Sequence, residues 1–302
     1  MIILNRLIMG GTAMNTLHLV NALRKEYKVV LVTGEREKDE KDFPGDMLPA
    51  GEVEYIQLHS LKRSVNLFTD AKAYREIKGL IKKYQPVIVQ TIGAKPGFLG
   101  RIAAWRLKVP VIIHAYHGHV FHSYFHPILS RVVVQLERWA AARSTCITTV
   151  SAKQQKDLTQ VYRIADANKI IHLPIGIEVE KFNDPSGLLR KSFRTKYLLE
   201  EDEVAIGIAG RIAEVKNHHF FLHVADSFKN YRDKKLRFFI IGDGETIRRK
   251  LENELRNQGT DFVYFPQTSR KAYITFTSWI TAIESVMNGL DIIVLTSHNE
   301  GT

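Results

Sequence analysis

The sequence predicts an α/β protein of two domains, each a doubly wound parallel sheet clad in helices. Three features predict it. Short apolar runs alternate with longer stretches of helical periodicity, the order expected of parallel strands joined by right-handed crossovers. The runs are apolar at consecutive positions, as strands covered on both faces require. A polar stretch, 178–203, interrupts the alternation once, and the alternation then resumes. The boundary therefore falls near residue 180, giving domains over 1–180 and 181–302.

In the first domain the apolar runs are 2–4, 29–33, 87–91, 111–115, 146–150 and 170–173. Leu17, Leu19, Val20 and Leu23 give 15–25 a helical face. In 61–84, Leu67, Ala71, Tyr74, Ile77 and Ile81 recur at helical spacing, with Lys72, Arg75, Lys78, Lys82 and Lys83 between them. This stretch reads as a surface helix over the sheet, or as one that also lies on a membrane surface. Further helices are expected over 96–107 and 127–142.

Beyond the boundary, Asn183-Asp184-Pro185-Ser186-Gly187 is a turn cluster. Strands are expected at 204–209, 237–241, 262–265 and 291–295, and helices at 217–229, 245–257 and 281–288. Only seven residues follow the run 291–295. A central parallel strand needs cover on both faces, so the second domain is expected to be incomplete, finished by another chain or in a longer protein.

The 302 residues suit two domains at about 150 residues each. With 45% hydrophobic and 25% charged residues, a disordered or low-complexity chain is excluded. A single cysteine, Cys146, excludes a disulfide framework or multi-cysteine zinc ribbon and fits a reducing compartment. No apolar run reaches the roughly 18 residues of a membrane span. Residues 1–10 lack a basic leader and read as a strand rather than a signal peptide. The net charge of +11 favours anionic partners: nucleic acid, anionic lipid or phosphorylated small molecules.

Candidate site residues fall after the apolar runs. Gly10 and Gly11 lie between the first strand and the helix that follows, where backbone can approach a ligand; a plain tight turn explains them equally well. Five histidines fall between 114 and 126, and a strand-end histidine, His117, is a better candidate than a zinc set. Gly210-Arg211 and Lys216 place two cations at a strand end and near a helix start, where they would suit a phosphate or form a solvated loop. Gly242-Asp243-Gly244 and 297–302, with Glu300, follow the later strands; they offer acceptors for hydroxyl groups or simple helix caps.

Taken in order, these segments resemble a retaining GT-B glycosyltransferase of family 4. The resemblance runs along residues 7–302. It is carried by Gly10-Gly11-Thr12, by 94–101, by 117–121, by Val150-Ser151 with 173–177, by Gly210-Arg211 with Lys216, by Gly242-Asp243-Gly244 and by 299–302.

The resemblance implies two Rossmann-like domains facing a cleft. It implies transfer of a hexose from a nucleotide-diphosphate sugar, UDP-linked, with retention of anomeric configuration. By the same resemblance Arg211 and Lys216 bind the donor diphosphate, His117 contacts the sugar and Glu300 holds sugar hydroxyls. The amides of Gly301 and Thr302 face phosphate, Gly11 and the Gly210, Gly242 and Gly244 turns line the donor, and Lys95 and 119–124 face the acceptor. No metal or other cofactor is implied, since fixed cations and helix dipoles can stabilise the leaving diphosphate. The implied acceptor is a lipid-linked or polysaccharide precursor at the cytoplasmic face of the membrane. The basic and aromatic segments 61–84 and 116–143 would meet an anionic surface there.

The family's second glutamate, separated from the first by seven residues, would lie past Thr302. These residues alone are therefore expected to bind donor poorly and turn over slowly. An inactive remnant and a nucleotide-sugar 2-epimerase of the same fold remain alternatives. A nucleic-acid-binding role rests on charge alone, for no helix-turn-helix, zinc-finger or RNA-recognition signature appears.

Overall fold

The computed structural model describes every residue except 38–42, 44, 46–47, 49–50, 52, 119–126, 299 and 301–302. The described chain forms two compact units, Met1–Gly176 and Ile177–Glu300.

The first unit is built on a seven-stranded sheet of order β3-β2-β1-β4-β5-β6-β7, parallel throughout. Its strands are β1 (Ile2–Arg6), β2 (Val29–Gly34), β3 (Val53–Leu58), β4 (Ile88–Ile92), β5 (Val111–Tyr116), β6 (Cys146–Thr149) and β7 (Ile170–His172). Between them run α1 (Gly11–Leu23), α2 (Leu67–Tyr84), α3 (Ala94–Arg106), α4 (Pro127–Ala142) and α5 (Ala152–Lys156). Alternate residues of β1 show why the run is apolar throughout. Ile2 and Leu4 pack with Leu17 and Val20 of α1, while Ile3 packs with Ile77 and Ile81 of α2 and with Ala103 and Ala104 of α3. Each such aliphatic side chain withdrawn from water contributes about 1.5–3 kcal/mol.

Helix α2 shows how the sequence sets an element's limits. Asn66 caps it by accepting from the amides of Phe68 and Thr69, Ala73, Ile77 and Ile81 form its buried stripe, and Gln85 ends it in the left-handed conformation.

The second unit holds a five-stranded parallel sheet of order β10-β11-β9-β8-β12. The strands are β8 (Glu203–Ala209), β9 (Lys235–Ile241), β10 (Phe262–Tyr264), β11 (Ile274–Ser278) and β12 (Ile292–Ile293). The helices are α6 (Leu188–Lys196), α7 (His218–Ser227), α8 (Glu245–Asn257) and α9 (Ile283–Gly289). One face buries Phe221, Phe238, Leu251 and Phe276; the other buries Phe193, Tyr197, Phe239 and Val286.

Three elements depart from the sequence reading. β3 is an edge strand whose pattern, VEYIQL, is half exposed, so it lacks a continuous apolar run. β11 reads ITFTS, and its threonines, buried between β10 and β9, hide it from an apolar count. α6 lies inside the polar stretch taken as a break and is held by two buried residues, Phe193 and Arg194. The run 291–295 is also shorter than expected: β12 is two residues at the sheet margin, with Ile292 and Ile293 48% and 43% exposed.

Strand order locates each unit's ligand-binding edge. In the first sheet the chain travels outward from β1 to β3 on one side and from β4 to β7 on the other, so the order reverses between β1 and β4. In the second it leaves β8 toward β9 and returns on the far side at β12, so the reversal lies between β8 and β12. Ligands of open parallel sheets bind beyond the carboxyl ends of strands at such a reversal.

Candidate functional site

In the second unit the predicted residues gather at the carboxyl ends of β8 and β12. β8 runs into Gly210, at φ 142°, and then into the exposed Arg211. A short 3-10 turn, Glu214–Lys216, follows before α7. The chain leaving β12 returns to this turn. Thr296 Oγ1 donates to the carbonyls of Lys216 and Asn217 at 2.8 and 3.0 Å, and the His298 amide donates to Val215 at 2.9 Å. These bonds bring Glu300 Oε1 to 2.6 Å from Lys216 Nζ. Partial burial alone would raise the Glu300 carboxyl, but the Lys216 ammonium outweighs it and leaves the group below its ordinary value.

His218, the first residue of α7, was not singled out in the sequence. It is 1% exposed, and neither ring nitrogen has a hydrogen-bond partner among the described residues. Burial, with the Lys216 charge second, holds its imidazole down to about 4, so it is neutral at pH 7. The clue available in sequence was its place, two residues after Lys216 at a helix start.

The Gly242-Asp243-Gly244 turn backs this edge. A Cβ on Gly242 would lie 2.0 Å from the Gly210 carbonyl, and one on Gly244 2.0 Å from that of Ile212. These glycines let the two loops touch backbone to backbone, a packing role beside the ligand contact expected of them. Asp243 accepts from the Gly244 amide (2.8 Å), Tyr264 Oη (2.9 Å), Ser278 Oγ (3.0 Å) and Arg248 Nε (3.0 Å). Burial pushes its carboxyl up, these donors push it down further, and the net result lies below the usual carboxylate value. The hydroxyl groups this carboxylate holds are therefore the protein's own.

In the first unit, Gly10 caps α1 with φ 152°, no side chain caps the helix, and a Cβ on Gly10 or Gly11 would meet nothing within 4 Å. The first-turn amides that a helix leaves unsatisfied are therefore approachable. At the end of β5, His117 Nε2 lies 3.5 Å from Nδ2 of Asn15 on α1. Burial lowers the His117 pKa, which favours the neutral ring. Asn15 was also missed; its place one turn beyond the glycine pair was the available signal.

A buried network holds the end of β5. Arg101 Nη2 and Tyr116 Oη both donate to Glu137 Oε2 at 2.6 Å, and His114 Nδ1 lies 2.9 Å from Thr91 Oγ1. Gln154 of α5, in the amide orientation that satisfies both groups, donates to the Tyr116 carbonyl and accepts from the Gly118 amide at 3.0 Å each. Lys95 is engaged by the Asp70 carboxylate and the Ser64 carbonyl. The expected acceptor segment 119–124, with Gly301 and Thr302, lies outside the described residues. Among the described residues no group of three or more His, Cys, Asp or Glu side chains is placed to hold a metal ion.

Residues 10–176 match the model of the glycosyl transferase 4-like domain, more than half of the chain. The chain belongs to the glycosyl transferase 4-like family. Residues 203–302 of this family member match a second model, that of glycosyl transferases group 1.

The chain is 29% identical over 244 residues to the Escherichia coli UDP-Gal:alpha-D-GlcNAc-diphosphoundecaprenol alpha-1,3-galactosyltransferase, covering 80% of this chain and 60% of that one. It is 27% identical over 269 residues to the capsular polysaccharide biosynthesis glycosyltransferase CapM of Staphylococcus aureus, covering 85% and 64%. The chain thus spans under two thirds of the length of both curated relatives.

Among solved structures, Anabaena HepE in complex with UDP and glucose superposes with a TM-score of 0.70 at 14% identity, covering 99% of this chain and 74% of that one. WaaG, a glycosyltransferase of lipopolysaccharide biosynthesis, does so with a TM-score of 0.70 at 15% identity, covering 100% and 76%. These likenesses, with the two parallel sheets, show the α/β GT-B fold.

Proposed function

We propose that this protein transfers a hexose from a UDP-linked donor to a lipid-linked or polysaccharide-precursor acceptor, with retention of anomeric configuration. The observation that carries the reading is the Lys216–Glu300 pair, on the loop after β8 that also carries Arg211, at the strand-order reversal between β8 and β12. A nucleotide diphosphate binds there through the Arg211 guanidinium and the Lys216 ammonium. As the bond from the sugar to the diphosphate breaks, negative charge grows on the leaving phosphate, and both cations are already in place. Lys216 exchanges part of its contact with Glu300 for phosphate. The freed carboxylate then accepts hydrogen bonds from sugar hydroxyls, for which an ionised acid is suited.

In the first unit, the neutral His117 and the Asn15 carboxamide supply uncharged hydrogen-bonding groups for hydroxyls. The acceptor class is drawn from the family relatives that act on lipid-linked precursors. In this reading the acceptor attacks the face that the diphosphate leaves, and a phosphate oxygen of the leaving group takes the acceptor's proton. Incubation with UDP-hexose and a diphospholipid-linked sugar tests the whole reading. The expected product is a lipid-linked glycan with the donor's anomeric configuration by NMR. An inverted linkage overturns the retaining step, and donor turnover unaffected by Arg211→Ala and Lys216→Ala overturns the site.

A further inference from the structure

Ser151-Ala152-Lys153-Gln154 has the spacing of a helix capping box. The first half of that motif is present: Ser151 caps α5, and its Oγ accepts from the Gln154 amide at 3.2 Å. In the second half, the glutamine carboxamide would turn back to the amide of the capping residue. Gln154 carries its carboxamide to the chain leaving β5. It donates to the Tyr116 carbonyl and accepts from the Gly118 amide, at 3.0 Å each. The side chain is buried, and a buried carboxamide costs free energy unless such partners meet it.

These two bonds bracket His117. The Tyr116 carbonyl belongs to the peptide group before it, and the Gly118 amide to the peptide group after it. One side chain therefore fixes both planes that flank the His117 Cα, and with them the direction in which the imidazole leaves the backbone. β5 ends at Tyr116 and its neighbour β6 at Thr149. Just beyond, Gln154 supplies the donor and the acceptor that a facing residue would supply in a parallel ladder. Both ends of this clamp are anchored. The Tyr116 hydroxyl is held by Glu137, and its ring stands edge to face with His114 at 4.5 Å. On the other side, Gln155 Nε2 ties α5 to β7 through the Ile170 carbonyl at 2.8 Å, and Leu158, in the π-helical turn that follows, is buried.

We propose that Gln154 is a positioning residue for sugar transfer: by holding Tyr116 and Gly118 it presents the His117 imidazole, 3.5 Å from the Asn15 carboxamide, to substrate hydroxyls. The inference rests on the role proposed for His117 and adds the group that sets its geometry. Gln154 touches no substrate and acts through His117 alone. A side chain of similar bulk without hydrogen-bonding groups would fill the same space and leave both peptide planes able to turn.

The test compares Gln154→Met, which keeps the bulk and removes both bonds, with Gln155→Met, which cuts α5 from β7 and leaves Tyr116 and Gly118 bonded. Amide hydrogen exchange by NMR reads the clamp without substrate. Gly118 is an exposed residue, so its amide is slowed by the bond to Gln154 rather than by burial. Its exchange should quicken about tenfold or more in Gln154→Met and keep the wild-type rate in Gln155→Met. With UDP-hexose and a diphospholipid-linked sugar, Gln154→Met should lower kcat about 10–10²-fold, with the donor KM changed by no more than about twofold. Placed in a His117→Ala background, the same substitution should lower kcat no further. An equal kcat loss in Gln155→Met, or a full further loss in the His117→Ala background, overturns the positioning role. Unchanged Gly118 exchange in Gln154→Met overturns the clamp. Absence of turnover by the wild-type chain overturns the transfer reading instead, and Gly118 exchange then supports or overturns the clamp by itself.

Discussion

Lys216 and Glu300 are joined by an ion pair of 2.6 Å, although 84 residues separate them. The pair closes the loop after β8 onto the chain that leaves β12. In the proposed reaction it stores the diphosphate-binding cation beside the carboxylate that holds the sugar. Lys216→Ala should therefore lower kcat/KM about 10²–10³-fold, the usual effect of losing one charge-stabilising donor. Because the two side chains stay partly open to water, 26% and 33% exposed, stability should shift by no more than about 1 kcal/mol. Steady-state kinetics beside a urea melt separates the two effects, and a loss seen only in the melt would contradict this role.

His218 gives the fold a pH dependence. Its folded pKa is lowered, to about 4 from 6.5, first by burial and then by Lys216. The unfolded chain takes up this proton as pH falls below 6.5 while the folded chain does not, so the unfolded state binds more protons between the two values. Stability should fall by about 3 kcal/mol as pH drops through that window. His218→Leu should remove that component of the slope. Urea midpoints measured from pH 7 to pH 4 check it; parallel curves for the two proteins would refute it.

Gly244 and Gly79 should respond in opposite directions to alanine. A Cβ on Gly244 would strike the Ile212 carbonyl at 2.0 Å, whereas one on Gly79 of α2 meets nothing within 4 Å. Gly244→Ala should cost about 1–3 kcal/mol and raise the donor KM by displacing the Arg211 loop. Gly79→Ala should add about 0.5–1 kcal/mol, because alanine restricts the unfolded chain and favours the helix. Thermal melts of the two variants decide.

The Arg101–Glu137 pair is buried, and Tyr116 shares the same carboxylate oxygen. Glu137→Ala should cost about 3–5 kcal/mol by leaving a guanidinium uncompensated, and replacing both residues by Met should cost less than that single change. If the double variant is the less stable, charge compensation is not what holds α3 to α4.

Much of this architecture was legible because parallel strands covered on both faces are mostly apolar at consecutive positions. Ile2, Ile3 and Leu4 face helices on opposite sides of the sheet, so all three are withdrawn from water. The positions of Arg211 and Lys216 followed from the same regularity, since loops after parallel strands share an edge. What escaped were elements stabilised by other means. β11 buries threonines, α6 is anchored by two residues within a polar stretch, and β3 is half exposed. Side-chain partnerships were also invisible. Nothing local in the sequence says that Asp243 is occupied by Tyr264, Ser278 and Arg248, or that Lys95 is held by Asp70.

The central claim is that a donor diphosphate is held at the end of β8 by Arg211 and Lys216. A crystal of this chain soaked with UDP-hexose tests it most directly. The account predicts phosphate oxygens at about 2.7–3.2 Å from the Arg211 guanidinium and the Lys216 ammonium, with Glu300 turned toward the sugar. A diphosphate bound elsewhere, with the Lys216–Glu300 pair still closed, would contradict it.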